Sequence, residues 1–115
     1  MDEQIINEEV LEKIMMGVAI AGTAKSLGKE SLNYAKEGNF EEAENLFKEA
    51  KKTFVEVHGS HFDLIQKEAS GEKVDISLLL VHMEDHIMTT SLYLELVEDQ
   101  IALYKRLTKL ESLIK

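Results

Sequence analysis

The chain has no cysteine, which excludes a disulfide framework and thiol chemistry alike. It has no proline, and no run of alternating polar and apolar residues long enough for a useful strand. Basic residues are scarce: 13 Lys and Arg stand against 22 Asp and Glu, a net charge of −9. That balance argues against nucleic acid, whose affinity comes from phosphates neutralised by Lys and Arg, and against anionic membrane surfaces. No uninterrupted apolar run approaches about 18 residues, so nothing reads as a bilayer span. The start, Met1-Asp2-Glu3-Gln4, is acidic and lacks the basic opening of a signal peptide. There is no Gly-x-x-x-x-Gly-Lys-Ser/Thr phosphate loop, and no His-Glu-x-x-His zinc motif. The expectation is a cytoplasmic, single-domain protein spanning residues 1–115. A chain of that length is marginal by itself, so association would help it.

What is present is helical periodicity. Three long patterns, about residues 3–37, 40–70 and 76–114, are separated by two glycine signals, which makes the fold class all-α. In the first, Ile6, Val10, Ile14, Val18 and Ala21 recur at helical spacing around a stretch of small residues from Gly17 to Ala24. Small residues let another backbone come close, and glycine inside a helix calls for such a reason. Gly38 ends this pattern and Asn39, with Glu42 three residues on, opens the next as a capping box. Phe40, Ala43, Phe47, Ala50, Phe54 and Val57 form its apolar seam, and the intervening Glu and Lys residues read as a solvated face. His58 and His61 follow, a spacing compatible with metal but weak evidence for one. Gly71 closes the second pattern, and Asp75 or Ser77 can cap the third.

The third pattern carries the chemistry. Leu78-Leu79-Leu80-Val81-His82-Met83-Glu84-Asp85-His86-Ile87-Met88-Thr89-Thr90 sets His82, Asp85 and His86 on one side of a helix. At roughly 100° per residue, Leu78, Val81, Met88, Leu92 and Leu96 fall within about 60° of Asp85, with the two imidazoles at the margin. A carboxylate in an apolar stripe is costly to bury unless it is paired or bound to a metal. On the opposite side lies a second stripe: Ile76, Leu80, Met83, Ile87, Leu94 and Ile101. A helix apolar on two opposite faces must bury both. One packs on the other two helices; the other needs a partner, which places Asp85 in an intersubunit face.

The same segment resembles the signature of the IIA component of the lactose/cellobiose (chitobiose) family of the sugar phosphotransferase system: a leucine run, His-x-x-Asp-His, an aliphatic residue and Met-Thr. Gly22-Thr23-Ala24-Lys25-Ser26 is similar to that family's Gly-acid-Ala-basic-Ser. Gly38-Asn39-Phe40-Glu41-Glu42-Ala43 is similar to its interhelical turn, and Leu64-Ile65-Gln66-Lys67-Glu68-Ala69-Ser70-Gly71-Glu72 to the end of its second helix. The likeness runs in register from about Ile14 to Tyr104. It implies an antiparallel three-helix bundle that assembles as a homotrimer through the third helix. It also implies a phosphotransferase with a phosphohistidine intermediate on His82. The phosphoryl group arrives from the histidine phosphocarrier protein and leaves to a cysteine of a IIB component. A membrane IIC component moves the sugar, the only link to a membrane. Asp85 and its two symmetry copies are implied to hold a divalent metal, usually magnesium, on the threefold axis.

The chemistry agrees with that implication. An imidazole is a nucleophile at neutral pH, and its phosphoramidate is labile enough to pass the group on. Such transfer needs mainly positioning and charge stabilisation. His86, one turn beyond His82, is in place to donate to phosphoryl oxygens when protonated, a supporting role. The chain departs from the family pattern where Ala or Gly and then Gln are usual and Met83 and Glu84 stand. It departs again where Gln and Thr are usual and His61 and Phe62 stand. Glu84 adds an acid beside the acceptor, and the phosphate environment is expected to differ accordingly. Two other readings fit the residues: a non-catalytic metal-binding helical bundle using His58, His61, His82, Asp85 and His86, or a structural adaptor. The disaccharide is not encoded in this chain, because the sugar binds another component.

Overall fold

A computed structural model describes residues 8–114 and contains three α-helices, α1 (Glu8–Lys36), α2 (Phe40–Ala69) and α3 (Leu78–Ile114). They form an up-down-up bundle, elongated to 73 × 24 × 19 Å. Residues 3–7 of the first expected helix, Ile6 among them, lie outside the described residues. Among the described residues there is no strand.

The helix ends follow from local chemistry. Gly38 and Gly71 sit at φ +83° and +94°, a conformation open to glycine at little cost. At each the chain folds back: Asn39 N donates to the Tyr34 carbonyl and Gly38 N to that of Ala35, while Glu72 N reaches the Lys67 carbonyl and Gly71 N that of Glu68. The Asn39 side chain accepts from Glu42 N at 3.3 Å, the forward half of the expected capping box. Of the two candidate caps for α3 it is Ser77 that acts, its hydroxyl accepting from Leu80 N at 3.1 Å. The helix therefore starts at Leu78 and not at 76. Ile76 precedes it and is exposed, so it does not belong to the inward stripe as expected.

The inward stripe otherwise holds. Leu80, Met83, Ile87, Leu94 and Ile101 are buried, as are Ile14 and Ala21 of α1 and Ala43, Ala50, Phe54 and Val57 of α2. Phe40, Phe47 and Val18 pack partly buried against them, whereas Val10 is exposed. The small residues of α1 have a specific use. A Cβ at Gly17 would stand 2.5 Å from the Met83 sulfur, and one at Gly28 would stand 2.8 Å from a Leu94 methyl. So α1 and α3 approach each other as closely as missing side chains allow. Gly22, inside the same stretch, has open space over it and plays no such part. The Ser31 hydroxyl, fully buried, donates to the Ala43 carbonyl at 2.5 Å and ties α1 to α2.

Among the described residues one buried side-chain polar group has no partner: the Thr90 hydroxyl, on the inner face of α3. A buried hydroxyl without a hydrogen bond costs on the order of 1–3 kcal/mol, and Val has nearly the same shape. Thr90→Val should raise stability by about 1 kcal/mol, read as a higher urea midpoint at unchanged slope. A lower midpoint would mean that the hydroxyl finds a partner in the working protein.

Candidate functional site

Because α3 begins at Leu78, His82 falls in its second turn, one turn before His86. Met83 and Ile87 are buried and anchor this part of the helix against α1 and α2. His82 and Asp85 are exposed, and His86 is half-buried. The two imidazoles pack edge to face, ring centroids 4.5 Å apart and planes at 88°. The Thr89 hydroxyl turns back and donates to the Asp85 carbonyl at 2.8 Å. Around Asp85 the apolar stripe is open: Leu78 is 86% exposed, Met88 59% and Leu92 57%, with Val81 and Leu96 about half exposed. These five were expected to await a partner, and within one subunit nothing covers them.

Glu84 does not serve as an extra acid at His82. It sits about 160° round the helix from that side chain, on the opposite flank. There it meets His61 of α2, whose Nδ1 contacts the carboxylate. With a carboxylate as partner, the neutral imidazole carries its proton on Nδ1 and donates it. The two departures at His61 and Glu84 are thus one feature, a polar tie between α2 and α3, whose pairing is the sparsest of the three. Phe62 is exposed and Met83 is core, so neither enters the histidine flank of its own subunit. His58 is exposed and lies between Phe54 and His61, with ring centroids at 5.7 and 6.3 Å.

This arrangement overturns the five-residue metal cluster. Within one subunit α3 separates His58 and His61 from His82 and His86. Among the described residues, no three His, Asp or Glu side chains form a group able to hold a metal. Sequence reasoning treated His61 and Glu84 as separate oddities. The available signal was that the two positions depart from the family pattern together.

Farther along the His82 flank, Tyr93 is partly buried against Gly28, and burial raises its phenol pKa. The Lys25 ammonium lies 5.9 Å from the Tyr93 ring centroid. At the far end of the bundle Lys105 of α3 pairs with Glu44 of α2, holding that carboxyl below its usual range.

The profile of the family described as "PTS system, Lactose/Cellobiose specific IIA subunit" matches residues 12–105. The chain belongs to the lactose/cellobiose IIA family of the phosphotransferase system. It is 42% identical over 89 residues to the lactose-specific EIIA component of Streptococcus mutans, covering 77% of this chain and 86% of that one. The crystal structure of the cellobiose-specific enzyme IIA from Bacillus anthracis superposes with a TM-score of 0.82 at 35% identity, covering 91% of this chain and 95% of that one. The IIA of the Escherichia coli chitobiose branch, solved in complex with HPr, gives 0.73 at 33% identity, with 84% and 94% covered. IIA proteins of this family are phosphotransfer proteins carrying the fold described above, and among the described residues no helix is long and apolar enough to cross a membrane.

His61 has a measurable consequence for stability. Burial, followed by the nearby His58 ring, holds its imidazole below the usual histidine range. The Glu84 carboxylate in contact with the ring opposes that shift, since an anion favours the imidazolium. In the unfolded chain His61 takes up a proton near pH ~6.5, but in the folded chain only at lower pH. Its contribution is therefore complete above that value and lost as pH falls through the folded pKa. His61→Gln should flatten the fall in urea stability between about pH 7 and 5. Coincident profiles for the variant and the parent would show that His61 is solvated equally in both states.

Proposed function

We propose that this IIA protein accepts a phosphoryl group on His82 from the histidine phosphocarrier protein HPr, then passes it to a cysteine of a IIB component in the uptake of a disaccharide. The observation that carries the reading is an exposed imidazole at the first His of His82-Met83-Glu84-Asp85-His86, on a rigid, well-anchored helix. The likeness to a IIA solved with HPr supports the donor. In the first step a His82 ring nitrogen attacks phosphorus as the P–N bond to the donor's histidine breaks. In the second a cysteine thiolate attacks and the P–N bond to His82 breaks. His86, packed edge-on against His82, is placed to donate to the phosphoryl oxygens as imidazolium.

His82→Gln should leave the fold intact and abolish acid-labile phosphate after incubation with phosphorylated HPr. Labelling equal to the parent would move the acceptor elsewhere. His86→Ala should slow transfer roughly 10-fold or more yet leave an acceptor, within the range of a positioned acid.

The open stripe of α3 supports a homotrimer built through this helix. On a threefold axis each Asp85 meets two copies of itself. One subunit offers a single oxygen donor among Val81, Met88 and Leu92, so a metal would be shared by all three subunits. Three carboxylates with water fit a hard, octahedral divalent cation such as magnesium, which would neutralise their repulsion. Asp85→Leu removes the repulsion and fills the seam, so the trimer should survive without bound metal. Light scattering and metal analysis of that variant test this: folded monomers would make the metal what holds the subunits together. A monomer mass for the parent at micromolar concentration would reject the trimer itself.

A further inference from the structure

Met83 follows His82 in the chain and is the buried side chain of that turn, 4% exposed. It points to where the three helices meet. A Cβ on Gly17 of α1 would stand 2.5 Å from its sulfur, 3.1 Å from its Cγ and 3.4 Å from a methyl of Val57 on α2. The thioether thus fills the space that any other residue at 17 would need. Glycine inside a helix is less favourable than alanine, so this notch is kept against local propensity. A methionine usually adapts by turning about its own bonds. Here Val57 closes one side, and Ile14, Leu80 and Ile87 complete the same buried cluster. Met83 has little room to move unless α3 moves with it.

His82 itself is exposed, so the hold on its turn comes from behind. The α2 side holds α3 less, because that pairing is the sparsest of the three. The seat at Gly17 therefore fixes the rotation of this turn. A ring about 6 Å from the helix axis moves by about 1 Å when the helix turns by about 10°. A protein partner covers roughly 800 Å², wider than one helix, so it rests on more than α3. Where His82 points relative to the other helices then matters, and in-line transfer is sensitive to misplacement of about 1 Å.

We propose that Gly17 and Met83 are positioning residues for the acceptor: the thioether seated in the glycine notch sets where His82 points. This rests on the reading of His82 as the phosphoryl acceptor. Neither residue touches the phosphoryl group, and both act through the backbone of the turn.

The test measures acceptance from phosphorylated HPr, with urea midpoints of every variant taken alongside. Gly17→Ala should lower kcat roughly tenfold or more at unchanged KM, since the exposed docking side chains are the same. Met83→Ala empties the seat and frees the turn, so it should lower kcat as well. Gly17→Ala/Met83→Ala refills the seat from the α1 side and should recover kcat to within about threefold of the parent. Gly28→Ala is the control for strain alone. Its Cβ would stand 2.8 Å from a Leu94 methyl, three turns beyond His82. It should lower the urea midpoint and leave kcat unchanged. If Gly17→Ala does not fold, Met83→Ala and the double variant still give the comparison. Parent kcat in Met83→Ala, no recovery in the double variant, or a kcat loss that Gly28→Ala shares overturns the proposal. Labelling of His82→Gln equal to the parent would instead remove the acceptor reading itself.

Discussion

Everything in this molecule depends on α3 being apolar on two opposite faces. One face closes the bundle through Leu80, Met83, Ile87, Leu94 and Ile101. The other cannot be buried by the same two helices, because a third helix shows them only one side. That surplus leaves an apolar face of α3 open to solvent. It also explains how a carboxylate can stand among leucines: Asp85 remains wet in the subunit and meets its electrostatic problem only when the face is covered.

The glycines of α1 determine how firmly the inner face is held. Gly17 lets the helix backbone come up to Met83, the residue next to His82, and Gly28 does the same for Leu94. A helix locked in this way cannot easily rotate, since turning it would drive Met83 into the α1 backbone. The direction in which His82 points is therefore set by core packing on the far side of α3. Phosphoryl transfer between proteins gains most from this kind of rigidity, because the group passes by in-line geometry and little covalent work falls to the acceptor's surroundings. A relay of this type needs an exposed imidazole and a docking face. It has no need of an enclosed pocket.

The fold was legible because its punctuation is local. Gly38, Gly71 and Asn39 act within a few residues of themselves, and the inward stripes follow from a single period. Ile76 was misplaced for a related reason: it satisfies the helical period, but the Ser77 cap starts the helix after it. Of the site, the exposure of His82 at the edge of the Asp85 stripe could be read from the wheel. The partner of Glu84 could not. Nearness in the chain suggested that its charge bears on His82, yet side chains two apart on a helix point about 160° apart. What Glu84 meets is decided by α2, whose His61 is 23 residues away.

The His61–Glu84 tie also explains why both departures can be tolerated in one chain. A lone carboxylate at 84 would lie between α2 and α3 without a donor, and a lone imidazole at 61 would be partly buried without an acceptor. Either change by itself leaves a partly buried polar group with only water as partner; together they satisfy each other. The change is therefore confined to the α2 flank of α3. It leaves His82 and His86, packed edge to face on the other flank, untouched.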